Sequence, residues 1–302
     1  ISLKNNNWDS STNIFTDIFK SSVGKINPEL SDSDLDRLID KISLTLENED
    51  LGKAFYDMLS SKTGVQLIDF GNFDNNDFKV VTELPCIKDD EEFRPDITLL
   101  INGMPLVFIE VKKPNNLDGI QAEHKRIADR FENKKFRKFI NITQLMVFTN
   151  NMEYDDGSLV PLQGAFYSST SYSKPAFNYF REEEELNLND ILKPENKDDE
   201  IKILKDTNLV SILNQPEFIT NKQPNNPTNR ISTSLFSRDR MSFILQYAIA
   251  YVKGSSGIQK HVMRYPQIFA TKAIERKINN GLKSGIVWHT QGSGKTALAY
   301  YN

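Results

Sequence analysis

The stretch Arg94-Pro95-Asp96-Ile97-Thr98-Leu99-Leu100-Ile101-Asn102-Gly103-Met104-Pro105-Leu106-Val107-Phe108-Ile109-Glu110-Val111-Lys112 reads as a β-hairpin with charge at its open end. Two apolar runs flank Asn102-Gly103, a dipeptide suited to a tight turn because both residues tolerate positive φ. Side chains alternate faces along a strand, so Glu110 and Lys112 project together while Val111 points into the core. Burying such a carboxylate and ammonium at the end of Val107-Phe108-Ile109 without a function costs desolvation energy. Register decides whether Asp96 joins them. A plain two-residue loop pairs Ile101 with Met104, sets Asp96 opposite Ile109 and leaves Asp96 and Glu110 on opposite faces. A three-residue loop, Asn102-Gly103-Met104, or a bulge sets Asp96 opposite Glu110 on one face. Pro105 has no N–H for the ladder, so the irregular connection is expected.

Two acids on one face suit Mg²⁺, a hard cation that accepts a few carboxylates and keeps its waters. The metal would acidify a bound water and stabilise charge on a phosphodiester oxygen, with Lys112 positioning or activating that water. Asp96 and Glu110 are the expected metal ligands, and Asp96, Glu110 and Lys112 the expected catalytic set. His124 and His261 have no partners at metal-ligand spacing and read as ordinary polar residues.

Around the hairpin, Phe78 to Leu84 and Gln144 to Thr149 read as further strands, and the charged segment Asp118 to Phe139 as a helix. Upstream, Leu35, Leu38, Ile39, Ile42 and Leu46 recur at helical spacing after cap-like Ser31 and Ser33, and Leu51 to Leu59 predicts a second helix. This part of the chain is mixed α/β. From Glu182 to Thr228 the composition turns to acids, Asn, Pro and Lys, which predicts a connector with short helices near Asp190 to Leu192 and Val210 to Leu213. Its opening run Glu182-Glu183-Glu184-Glu185 reads as a solvated face. Helices are then predicted over Phe236 to Val252 and Gln267 to Ile278.

A second motif stands near the C-terminus. Gly285-Ile286-Val287-Trp288 reads as a strand leading into His289-Thr290-Gln291-Gly292-Ser293-Gly294-Lys295-Thr296, followed by helix-prone Ala297-Leu298-Ala299-Tyr300. Strand, glycine turn, Lys-Thr and helix start form a nucleoside-triphosphate cradle. Backbone N–H groups of Gly292, Ser293 and Gly294 would surround the phosphates of ATP, Lys295 would reach the β/γ-phosphates and Thr296 would ligate Mg²⁺. His289 stands where the full pattern has glycine, which leaves the shortened Gly-x-Gly-Lys-Thr form of helicase-like motors. The chain stops six residues after Thr296 and is expected to be a piece of a longer protein, unable to hydrolyse ATP by itself.

With 302 residues the chain has room for about two domains. No run approaches a membrane span or a signal peptide, and the lone Cys86 excludes an intrachain disulfide, which together fit a cytoplasmic protein. A net charge of −4 neither demands nor forbids nucleic acid. Local charge is more telling. Lys125, Arg126, Arg130, Lys134, Lys135, Arg137 and Lys138 interleave with Phe131, Phe136 and Phe139, and Arg126 and Arg130, one helical turn apart, are the candidates for DNA phosphate contacts.

The residues Asp96, Glu110 and Lys112, followed by Trp288 to Thr296, resemble the restriction subunit of type I restriction-modification enzymes. In that family a PD-(D/E)xK nuclease domain precedes an ATP-driven DNA translocase. Arg264-Tyr265-Pro266-Gln267 is similar to the segment before the motor's phosphate loop, where the Gln267 amide would read an adenine edge and Tyr265 would stack nearby. Family nucleases often add Gln-x-x-x-Tyr on the following helix. Here Gln121 stands in the right region as a further catalytic candidate, while Lys125 occupies the tyrosine position.

The resemblance implies a restriction-endonuclease-like mixed α/β sheet flanked by helices over residues 1–181, a connector over 182–228, and the truncated start of a RecA-like P-loop domain over 229–302. It implies double-stranded DNA as substrate, ATP and Mg²⁺ as cofactors, and methyltransferase and specificity subunits as partners. Two other readings share these motifs. One is a DNA-repair nuclease-helicase without a methyltransferase partner; the other is a non-catalytic DNA-binding or assembly module with a degraded nuclease site.

Overall fold

The computed structural model describes residues 1–112, 119–150, 164–170, 177–192, 196–223, 232–255, 257–288, 292 and 294–301, without the side chains of 119–124, 189–190 and 301. Its centre is a six-stranded mixed sheet, built from β1 (Phe78–Thr82), β4 (Ile97–Ile101), β5 (Met104–Val111), β6 (Leu145–Thr149), β7 (Ala165–Ser168) and β8 (Asn178–Phe180), in that spatial order. Strands β2 (Cys86–Lys88) and β3 (Glu91–Phe93) form a separate small hairpin. Only the β5–β6 pair is parallel among these strands. A parallel pair needs a crossover, which here is α4 (Gly119–Glu132) and α5 (Arg137–Ile142).

The segment expected as one helix to Phe139 therefore breaks. Asn133 accepts a hydrogen bond from the Lys135 amide at 3.0 Å, an Asx cap that restarts the chain in a new direction.

The hairpin turns at Asn102 (φ 51°) and Gly103 (φ 77°), and Ile101 faces Met104 as in a plain two-residue loop. The register then shifts. Leu100 faces Pro105 but Leu99 faces Val107, so Leu106 is the extra residue of a bulge. Before it, Met104 points to the same core as Leu106; after it, Val107 and Ile109 take that side, and Phe108 turns to the opposite one. Continued outward, the shifted register sets Asp96 opposite Glu110, the outcome expected from an irregular connection. Asn102, fully buried, fixes the turn by donating to the Leu67 carbonyl and Asn76 Oδ1, each at 2.8 Å, while its Oδ1 accepts the Asp77 amide at 2.8 Å.

Helices cover both faces, which is why the central strands read as continuous apolar runs. On one side, α1 (Thr16–Ile26), α2 (Asp32–Thr45) and α3 (Lys53–Leu59) bury Phe19, Val23, Leu35, Leu38, Ile42, Phe55 and Leu59 against Val107, Ile109, Leu145 and Val147. Ser31 and Asp34 close a capping box on α2, as the serine signal suggested. On the other side, Ile127 and Phe131 of α4, with Phe136, Phe139 and Ile140, pack on Phe108, Met146, Phe148 and Phe166.

The connector carries α6 (Leu188–Ile191), α7 (Lys197–Asp206) and α8 (Pro216–Asn221), with a 3-10 turn at Val210–Ile212. Beyond it, the chain rejoins the first core across position 229. Met241, Phe243, Ile244 and Leu245 of α9 (Arg238–Tyr247), and Ile268 and Phe269 of α10 (Tyr265–Asn279), pack with the residues of α1 to α3.

Three expectations need correcting here. The helix predicted through Val252 stops at Tyr247, and Ile249–Gly254 becomes β9, paired with β10 (Gly257–Val262), because β-branched and aromatic Ile249, Tyr251 and Val252 gain a partner strand. The acidic run is not wholly solvated. Glu182 and Glu184, on either side of exposed Glu183, pair at 3.1 and 3.3 Å with Arg240, only 2% exposed, and Glu184 also meets Arg276 at 2.7 Å. Finally, Gly285 to Trp288 forms no strand: a strand needs a neighbour, none lies beside it among the described residues, and Ile286 and Trp288 are exposed. The described part of 265–301 is thus α10, chain without regular secondary structure and α11 (Lys295–Tyr301), with no sheet of its own.

Lys260, on β10, is buried where the hairpin meets the sheet, donating to Thr170 Oγ1 at 3.1 Å. Burial pushes its ammonium down from 10.5 to about 7, opposed by Asp50. The unfolded chain therefore holds that proton when the folded chain does not, and stability from this group rises with pH between about 7 and 10.5. Lys260→Met is expected to raise the melting temperature most below pH 7, with the gain shrinking toward pH 10.5. A Cβ on Gly103 would meet the Phe15 carbonyl at 2.6 Å and the Phe19 amide at 2.8 Å. Gly103→Ala is expected to cost at least about 2 kcal/mol, from left-handed backbone plus displacement of α1, read by denaturant unfolding.

Candidate active site

Glu110 lies near the end of β5, 2% exposed, on the face covered by α4. Its Oε2 is 3.5 Å from Lys112 Nζ and 3.8 Å from an Arg126 guanidinium nitrogen. Asp96, just ahead of β4, accepts a hydrogen bond from the Val111 amide at 2.7 Å through Oδ2, and its own carbonyl accepts from the Glu83 amide at 3.2 Å. The Lys112 amide donates to the Thr149 carbonyl at 2.8 Å and extends the parallel pairing to the last residue of the trio. Both strand ends are thereby held by backbone hydrogen bonds on either side of the charged groups.

The structure brings Asp96, Glu110 and Lys112 together at one end of the β4–β5 pair and adds Arg126 from α4. Among the described residues, two acids meet two cations there. A buried carboxylate is tolerable only with such compensation. The donor set fits Mg²⁺: two hard oxygen-bearing groups on neighbouring strands, with water and substrate completing a shell that this ion leaves largely hydrated. Among the described residues no cluster of three or more Asp, Glu, His or Cys side chains could hold a metal.

The other expected residues fall into distinct places. Gln121 lies in α4 with its side chain outside the described residues. Arg126 and Arg130 share a helix face but differ in surroundings: Arg126 reaches Glu110, whereas the Arg130 guanidinium stacks 4.5 Å over the Phe93 ring and braces the β2–β3 hairpin. Lys134, Lys135, Arg137 and Lys138 are tied in exposed ion pairs to Glu49, Asp90, Glu91 and Glu47.

In the phosphate-loop motif, Ser293 and 289–291 lie outside the described residues. Gly292 and Gly294 take φ of 79° and 84°, the left-handed backbone a glycine turn needs, and Lys295 and Thr296 open α11 as exposed residues. Gln267 is buried with both ends of its amide engaged: Oε1 accepts from the Arg264 amide at 2.8 Å and Nε2 donates to the Gly294 carbonyl at 3.1 Å. Reading an adenine edge requires exchanging those bonds. The Tyr265 ring packs 5.0 Å from Tyr179 on β8, their hydroxyls 3.2 Å apart; burial first, then that hydrogen bond, pushes the Tyr265 phenol up. It is turned toward the sheet edge.

Sequence reasoning missed the Val111 amide as a support for Asp96, the link from Arg126 to Glu110, and the inward Glu182 and Glu184. All three are tertiary and left no local trace.

Residues 2–158 match the family model described as Type I restriction enzyme R protein N terminus, and residues 266–301 match that of the SWI2/SNF2 ATPase. The chain is 28% identical over 252 residues to the putative type I restriction enzyme MjaVIIP endonuclease subunit of Methanocaldococcus jannaschii, covering 80% of this chain and 19% of that protein. It is 27% identical over 326 residues to the type I restriction enzyme HindI endonuclease subunit of Haemophilus influenzae, covering 97% of this chain and 26% of that protein. The chain spans about a fifth to a quarter of the length of these relatives. No helix of the described residues is long and apolar enough to cross a membrane. With over half of its length matched by the first of these models, the chain belongs to the R protein family of type I restriction enzymes, in its N-terminal region.

Proposed function

We propose that this chain is the nuclease-bearing part of a Mg²⁺-dependent endonuclease subunit, joined to an ATP-dependent DNA translocase that begins at its C-terminal motif. The observation that carries this reading is the grouping of Asp96, Glu110 and Lys112 at one end of the β4–β5 pair. The substrate is the phosphodiester backbone of double-stranded DNA, and the partners are methyltransferase and specificity subunits of a type I complex acting in the cytoplasm. Support for the partners comes from the family and from relatives whose names call them type I restriction enzyme endonuclease subunits.

Asp96 and Glu110 hold the metal, with Asp96 oriented by the Val111 amide. When bound, Mg²⁺ supplies Lewis acidity to an attacking water and a phosphoryl oxygen. Lys112, beside Glu110 and only partly exposed, orients that water and offsets charge on the phosphate. Gln121, from the helix after the strand, assists the same site. Arg126 and Arg130 contribute phosphate neutralisation along α4. At the other motif, Gly292, Ser293 and Gly294 cradle the phosphates of ATP, Lys295 pairs with them and Thr296 joins the Mg²⁺ ion, with Tyr265 and Gln267 on the nucleotide side. The left-handed Gly292 and Gly294 support that cradle. The match of 266–301 to an ATPase family supports the motor assignment.

In the full-length protein with its partners, Asp96→Ala, Glu110→Gln and Lys112→Ala are each expected to slow Mg²⁺-dependent duplex cutting by about 10² to 10³-fold or more while ATP hydrolysis persists. Lys295→Ala is expected to abolish ATP hydrolysis. Cutting that survives the first three changes overturns the nuclease assignment.

A further inference from the structure

Arg126 and Glu110 form an unequal pair. Glu110 is 2% exposed, whereas the Arg126 side chain is 54% exposed. Their 3.8 Å separation is long beside the 2.7 Å of Arg137 with Glu49 or Arg276 with Glu184. A guanidinium so exposed leaves its partner at little desolvation cost. A divalent cation beside Glu110 would repel it, since like charges a few ångströms apart in a partly buried site are weakly screened. One turn along α4, Arg130 is stacked 4.5 Å over Phe93, which braces the helix.

We propose that Arg126 is a movable cation of this site: it pairs with Glu110 while no divalent metal is bound, and contacts the scissile phosphodiester once metal and duplex are in place. Its planar fork matches two phosphate oxygens, which the ammonium of Lys112 does not. Among the described residues the site sets two acids against two cations, so an added divalent ion brings positive charge that a phosphodiester would offset. This inference rests on the reading of Asp96 and Glu110 as metal ligands.

The test titrates Mn²⁺ into the full-length protein by calorimetry, without DNA or nucleotide, and measures duplex cutting and salt-dependent duplex binding in the assembled complex. Arg126→Ala is expected to bind Mn²⁺ several-fold more tightly, to cut about 10²-fold more slowly, and to flatten the salt slope of binding by about one. Arg126→Lys, which keeps the charge without the fork, is expected to keep the slope and still cut slowly. Wild-type Mn²⁺ affinity in Arg126→Ala, or wild-type cutting in either variant, overturns the proposal. Glu110→Gln separates the two levels: if it binds Mn²⁺ as the wild type does, the metal-site reading fails first; if it does not while Arg126→Ala is silent, only the role of Arg126 falls.

Discussion

One extra residue, Leu106, sets the geometry of the charged site. Between Met104 and Val107 the strand makes a bulge, and every side chain beyond it changes face. Without that shift Glu110 would lie on the side of Val107 and Ile109's core, away from Asp96 and under the helices of the N-terminal layer. The bulge keeps its place because the turn before it is locked. Asn102 is buried among Leu67, Asn76 and Asp77, and Gly103 lies so close to the start of α1 that its carbonyl accepts the Phe15 amide at 2.9 Å. A tight two-residue turn and a face shift are thus both satisfied within five residues.

The second constraint is electrostatic. A carboxylate as buried as Glu110 needs compensating charge, and Lys112 from its own strand and Arg126 from the crossover helix supply it. These cations come from opposite sides of the β5–α4 connection. The crossover that a parallel β5–β6 pair requires is therefore also the element that delivers the second cation. Packing of Ile127 and Phe131 against Phe108 holds α4 over that end of the sheet.

The regions on either side of the connector share more than the sequence suggests. Tyr265 touches Tyr179, Phe269 lies beside Phe180, and the inward acids after β8 hold Arg240 and Arg276. Through Gln267 the same helix, α10, bonds the Gly294 carbonyl. The edge strand of the large sheet and the backbone of the phosphate-loop motif are consequently joined by one helix.

Much of the plan was legible locally. The strands around Asn102-Gly103, the α2 cap at Ser31, the alternation that groups Glu110 with Lys112 and the glycine turn before Lys295 follow from short-range rules of turn chemistry, capping and periodicity. Local pattern also limited the hairpin to two registers, and Pro105 argued for the irregular one. What the sequence alone could not decide was which irregularity occurs, whether Val252 lies in a helix or in a strand, which way Glu182 and Glu184 face, and that Arg126 meets Glu110. Two of these depend on a partner distant in the sequence, Arg240 for Glu182 and the α4 crossover for Glu110, while β9 depends on pairing with β10 just beyond it. Burial energy and charge compensation act between elements only after the chain has folded, so tertiary packing made those choices.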